Sequence, residues 1–159
     1  MSKRKHLYLG KAGQFAVMSE LLCRGWNVAV PEVDIGDDIF VVRDQNGEFI
    51  RVQVKTATST QRGDNFSVQF NLPFHQLKRE VTPELIYVFS VRHEQNGWAG
   101  HIVVHREILY EIYQQLEVEL KSDNITLYFS FKLNQDIMCW NYNFKSFWNN
   151  FINFPMIAH

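Results

Sequence analysis

Three residues of this chain bring the chemistry of a site into one short stretch: Asp38, Gln53 and Lys55. Asp38 opens an apolar, β-branched run, Ile39-Phe40-Val41-Val42, and Gln53 and Lys55 lie in a second run, Phe49 to Thr56. Between them Arg43-Asp44-Gln45-Asn46-Gly47-Glu48 is a polar turn. Asn46-Gly47 predicts a two-residue hairpin, because both residue types tolerate positive φ. Strand alternation then turns Arg51, Gln53 and Lys55 to one face and Ile50, Val52 and Val54 to the other. Carboxylate and amide oxygens are hard donors of the kind a hard divalent cation takes. An ammonium beside them offsets anionic charge on whatever binds.

The elements that must position these groups follow from the pattern on either side. Residues 10–24 predict a helix, with Ala12, Phe15, Met18, Leu21 and Leu22 at helical spacing and Gly25 as the stop. On a wheel centred on Met18, Gln14 falls on the inward side and Glu20 on the far side. Trp26 to Val30 predicts a short strand ended by Pro31. Residues 56–64 read as a polar loop able to approach a ligand. Asn65 to Leu72 alternates as a strand, and residues 73–80 form a short connection or helix. The near-continuous apolar run from Glu84 to Val91 predicts a central strand buried on both faces. Asn96-Gly97 marks another hairpin into a strand at His101–His105, followed by a helix from Arg106 to about Leu116 and a strand over Ile125–Lys132. Trp140, Tyr142 and Phe144 alternate, and Phe147, Trp148, Phe151 and Phe154 complete an aromatic-rich end to the chain.

Asp38, fifteen residues before a Gln53-Val54-Lys55 on the paired strand, resembles the core of the PD-(D/E)XK nuclease superfamily. It is similar to small bacterial members whose strands read Asp-x-Gly-x-Asp and Val-Gln-Val-Lys, here Asp34, Gly36 and Asp38, then Val52 to Lys55. The resemblance covers residues 10–57, more loosely the strand to Leu72, and nothing beyond about Gly97. It implies an α/β, three-layer restriction-endonuclease-like core with a mixed central sheet flanked by helices. The whole chain, 1–159, would then be one nuclease-like domain with an aromatic-rich extension from about residue 137. It implies a divalent-metal-dependent endonuclease acting on DNA, with Mg²⁺ or Mn²⁺ held by Asp38, the amide of Gln53 and the backbone carbonyl of Val54, and a supporting carboxylate at Asp34 or Asp37. Lys55 would orient the attacking water and offset charge on the phosphate. The first helix of many members supplies a glutamate; here the two residues that could stand in its place are Gln14, inward but neutral, and Glu20, charged but outward. With Gln53 in place of the usual acidic residue, the alternative is a non-catalytic nuclease-fold module binding nucleic acid or a protein partner.

Composition is consistent with that picture and narrows it. Across 159 residues the formal net charge is -1, so no strongly basic coat is present and any nucleic-acid contact must come from a local patch. Arg51, Arg62, Lys78 and Arg79 are the cations placed to border such a groove. Cys23 and Cys139 lack metal-ligand spacing, and so few cysteines favour a reducing, cytoplasmic setting. No apolar run reaches the ~20 residues of a membrane-spanning helix. His101 and His105 share a strand face and read as surface histidines without a third ligand. The rings between Trp140 and Phe154 predict core, with part of the surface left for a homodimer contact.

Overall fold

The computed structural model describes residues 3–33, 36–95, 97–120, 122–132 and 135–156. It begins with α1 (Lys3–Cys23), whose polypeptide reverses at Gly25, φ +82°. The Gly25 and Trp26 amides donate back to Leu22 and Leu21 at 3.0 and 3.1 Å, closing the helix end. Its buried stripe is Gly13, Gln14, Val17 and Leu21. Sequence periodicity had placed the stripe through Ala12, Phe15, Met18, Leu21 and Leu22; Phe15 and Leu22 are instead more than half exposed. The reason is local. Gly13 lies so close to the sheet that a Cβ there would sit 1.9 Å from the Thr56 hydroxyl, and a glycine carries no weight in an apolar pattern.

Two five-stranded sheets follow. The first runs in the order β1 (Asn27–Ala29), β2 (Ile39–Arg43), β3 (Glu48–Thr58), β6 (Leu85–His93), β7 (Gly97–His105). All of its neighbours are antiparallel except β3 and β6, which run parallel from Arg51↔Leu85 to Thr58↔Arg92. The second sheet has the order β10 (Tyr142–Asn143), β9 (Ile137–Cys139), β8 (Asn124–Phe131), β5 (Asn65–Pro73), β4 (Thr60–Arg62) and is antiparallel throughout. The α1 layer covers one face of the first sheet. The opposite face meets the second sheet, where Phe89 lies 5.1 Å from Phe70 and 6.0 Å from Phe129 between ring centroids. Two more helices, α2 (Phe74–Lys78) and α3 (Arg106–Gln115), pack on each other, and α3 also packs against β6 and β7. The molecule is mixed α/β with a mixed central sheet between α1 and a layer shared by a second sheet and two helices. β6, buried from Leu85 to Val91, is an interior strand between β3 and β7, while β3 is the middle strand of the five.

Several elements differ from the sequence expectation in instructive ways. The β2–β3 hairpin is closed by four residues, Asp44 to Gly47, because Arg43 pairs with Glu48. Only Gly47 is at positive φ, +68°, and its amide donates to Arg43 C=O at 2.8 Å. The stretch read as a loop, 56–64, is mostly strand: β3 runs on to Thr58 and β4 pairs with β5. Two-residue turns lie elsewhere, at Gly63–Asp64 between β4 and β5, and at Trp140–Asn141, where φ is +51° and +64° and Tyr142 pairs with Cys139. The latter breaks the Trp140, Tyr142, Phe144 alternation into a hairpin. Phe144, Phe147, Phe151 and Phe154 are buried in the chain's own core, and among the described residues Ile152 and Met156 are the large exposed apolar side chains of the last segment. His101 is a correction as well. It is buried and bonded to the Ser90 hydroxyl at 2.9 Å, not a surface histidine.

Candidate active site

Strand pairing assembles the site. Ile39 faces Val52 in the antiparallel ladder, so the next step sets Asp38 against Gln53. The Asp38 amide donates to Val52 C=O at 2.9 Å. Its carboxylate turns onto β3, where Oδ2 accepts from the Val54 amide at 2.6 Å. Because Thr56 faces α1, alternation sends Gln53 and Lys55 to the other face of the first sheet. Gln53 is buried. Lys55 opens into a cleft of about 410 Å³ lined by Thr56, Thr58, His6, Gln69 and Asn71. The expected triad of Asp38, Gln53 and Lys55 is thereby held on two adjacent strands at one end of the hairpin.

The first-helix residues divide cleanly. Gln14 is buried, donates through Nε2 to the Asp38 carbonyl oxygen, and accepts from Lys11 Nζ at 2.7 Å. Both ends of its amide are engaged, so it fixes the Asp38 backbone. Glu20 pairs with Arg24 at 3.4 Å near the helix surface, and its field reaches His101 on β7. It stands six residues along the helix from Gln14 and is engaged by Arg24. Asp37, adjacent to the key carboxylate, is only 3% exposed and accepts from Arg51 Nε and Nη2 at 3.0 and 2.7 Å. That pair removes Arg51 from the set of groove cations and leaves Asp37 a structural role. Asp34 lies outside the described residues.

Buried oxygens without partners mark where a ligand fits. Among the described residues, Gln53 Oε1, Gln76 Oε1 and the Tyr87 hydroxyl are buried with no hydrogen-bond partner in the protein, as is Thr56 Oγ1 under Gly13. An unsatisfied buried polar atom costs about 1–3 kcal/mol, so an uncompensated cluster of them is unusual in a folded core. Tyr87 sits beside Gln53 in the parallel ladder, and Gln76 lies beside Gly36, just ahead of Asp37 and Asp38. Burial drives the Tyr87 phenol above its ordinary range, with the Arg106 guanidinium opposing and Glu84 and Asp37 reinforcing. It therefore stays a neutral hydroxyl. Tyr87, Gln76 and Lys11 were not singled out in the sequence. Tyr87 is hidden inside an apolar strand, while Lys11 stands three residues before Gln14 on the helix, a spacing that brings side chains together.

A hard divalent cation fits this donor set: the Asp38 carboxylate and the orphaned Gln53 amide oxygen are both oxygen ligands. No group of three His, Cys, Asp or Glu able to hold a metal occurs among the described residues. The donors are thus one carboxylate helped by neutral oxygens, not a carboxylate cage.

Strand register thus sets Asp38 against Gln53, two residues before Lys55, under a helix that pins the Asp38 backbone. The family model described as PD-(D/E)XK endonuclease matches residues 4–89, which run from α1 into β6 and include all of these residues, and the chain belongs to that family. Among solved structures, a bacterial homing endonuclease is similar at 19% identity with a TM-score of 0.43, covering 75% of this chain and 72% of that one. No curated protein matches.

Proposed function

We propose that this protein is a divalent-cation-dependent endonuclease that hydrolyses phosphodiester bonds in DNA. The observation that carries the reading is the buried, partnerless Gln53 oxygen, set by strand register beside Asp38 and two residues before Lys55. Asp38 and Gln53, with the Val54 carbonyl, would hold Mg²⁺ or Mn²⁺. A cation so held supplies charge stabilisation at the phosphate and acidifies a bound water. The chain's own residues do the rest. Val54 N–H fixes one carboxylate oxygen of Asp38, and Gln14 fixes its carbonyl. Lys55 presents an ammonium to the cleft, where it orients the attacking water and offsets negative charge as the bond to the leaving oxygen breaks.

The test is cleavage of supercoiled, linear and branched DNA in Mg²⁺ or Mn²⁺. Asp38→Ala and Lys55→Ala should each lower the rate by about 100-fold or more. Gln53→Glu restores a second carboxylate and should lower the Mn²⁺ concentration needed for half-maximal rate. Cleavage that is absent with every DNA, or unchanged in Asp38→Ala and Lys55→Ala, overturns the proposal.

One observation favours a second reading. Asp38 is the only carboxylate the described residues offer at this point that is not held by Arg51, which suits a non-catalytic module of the same fold that binds nucleic acid or a protein partner. Titration calorimetry separates the two: Mn²⁺ binding that disappears in Asp38→Ala supports the nuclease, and DNA binding without any cation binding supports the module.

A further inference from the structure

The outer face of the second sheet differs from an ordinary solvated sheet. Along β5 and β8, Val68, Phe70, Leu72, Ile125, Leu127 and Phe129 are buried, and Gln69, Asn71, Thr126 and Tyr128 are exposed. Neither strand contains a single Lys, Arg, Asp or Glu. Solvated faces and edges ordinarily carry charge; this one carries carboxamides and hydroxyls. The groups are also pre-set. Asn71 Oδ1 accepts from Gln69 Nε2 at 3.3 Å and from Thr126 Oγ1 at 3.1 Å, which fixes the Asn71 amide with its NH₂ away from both. β4 pairs with β5 only as far as Ser67, and β9 with β8 only at Ser130 and Phe131. From Gln69 to Pro73 and from Asn124 to Phe129 the sheet is therefore a two-stranded ribbon.

Gln69 and Asn71 also line the cleft that holds Lys55. From this continuity we infer that the Gln69–Asn71–Thr126–Tyr128 face reads base edges in the major groove of the DNA that the site cleaves, and so sets sequence preference beside the cut. The inference rests on the nuclease reading above and deepens it. The major groove admits a two-stranded ribbon; a carboxamide such as that of Gln69 pairs with adenine through N6 and N7, and the Asn71 NH₂, its oxygen already engaged, donates to a base acceptor. An uncharged reading face fits a chain without net positive charge, since the phosphates contribute affinity and the bases contribute choice.

The full-length protein is incubated with a randomised duplex pool in Mn²⁺, and the cut ends are sequenced. Wild type should show base preference next to the cut. Gln69→Ala and Asn71→Ala should each lose that preference about tenfold at one or two positions, with unchanged thermal midpoints. Gln69→Glu, which keeps the shape but presents only acceptors, should move the preference toward cytosine N4. No cut ends from wild type overturns the nuclease reading and this inference with it. Cutting without base preference, or with a preference identical in all three variants, overturns this inference alone and leaves the nuclease standing.

Discussion

Asp37 and Asp38 are adjacent carboxylates with opposite fates, and the difference lies in their neighbours. Asp37 accepts two guanidinium hydrogen bonds from Arg51, whereas Asp38 accepts a backbone amide and turns toward Gln53. The Asp37–Arg51 pair is the staple that holds the approach to β2 against β3. Removing only the cation leaves a buried, uncompensated carboxylate, for which the cost is about 3–5 kcal/mol. Arg51→Ala should accordingly lower stability by about 3 kcal/mol in urea melts, since its side chain is 15% exposed and some solvent reaches the pair. The neutral pair Asp37→Asn with Arg51→Met should recover most of that loss. An Arg51→Ala protein as stable as wild type would show that Asp37 is held by other means. Sequence alternation placed Arg51 on the face of Gln53 and Lys55, and what it lacked was the partner. A residue's face follows from strand period; its ion pair depends on how the preceding loop returns.

At the scale of elements, the critical contact is the crossing of α1 over β3. Gly13 packs on Thr56, and the next residue, Gln14, bonds to the Asp38 carbonyl, so helix height over the sheet and the position of Asp38 are mechanically linked. In Gly13→Ala the new Cβ meets Thr56 Oγ1 at 1.9 Å and Thr56 Cβ and Cγ2 at 2.9 Å, distances no rotamer of Thr56 relieves together. The helix must lift. Overpacking of this kind costs about 1–3 kcal/mol, offset in part by the better helix propensity of alanine. The expected outcome is a lower unfolding midpoint together with a cleavage loss larger than the stability loss explains, because Gln14 moves with the helix. Thr56→Gly in the same chain should restore both. Equal midpoints and rates in wild type and Gly13→Ala would break the link. This element also shows why helix periodicity misjudged its own buried face. The stripe runs through a glycine and a glutamine, which apolar counting passes over in favour of Phe15 and Leu22.

For the whole molecule, His101 joins pieces distant in sequence. Its ring bonds Ser90 on β6, and its backbone exchanges hydrogen bonds with Asn149, whose side-chain oxygen accepts at 2.8 Å and whose amide donates at 2.6 Å. Burial holds the imidazole below its ordinary value, and the Glu20 carboxylate on α1 opposes this. A group whose folded pKa lies below its unfolded one binds fewer protons when folded, so the unfolded state gains as pH falls. The contribution is complete above the unfolded value near 6.5 and is lost as pH drops from there through the folded value. Urea midpoints should therefore fall between pH 7 and pH 5, and His101→Gln should flatten that slope. A wild-type profile as flat as the variant's would place the acid sensitivity elsewhere. The same scale explains why the second half of the chain matters to a site contained in the first. Phe129, Phe144 and Phe147 fill the core that β6 needs on its far side, and Phe151 and Phe154 pack on His101 and Trp26, although the family match ends at residue 89.

Much of this protein is determined by sequence alone. Strand period places Gln53 and Lys55 on one face, the polar turn between two β-branched runs makes the hairpin, and the apolar run at residues 84–91 makes a buried interior strand. These are local facts, fixed by alternation and turn chemistry within a dozen residues. The tertiary structure decided which polar groups remain for chemistry. It engaged Asp37 with Arg51, satisfied Gln14 at both ends, turned Glu20 toward Arg24, and left the Gln53 oxygen buried without a partner. It also set a charge-free ribbon beside Lys55 by pairing strands separated by some fifty residues. Such outcomes depend on which distant groups meet, and a side chain's hydrogen-bonding state is settled only when its partners arrive.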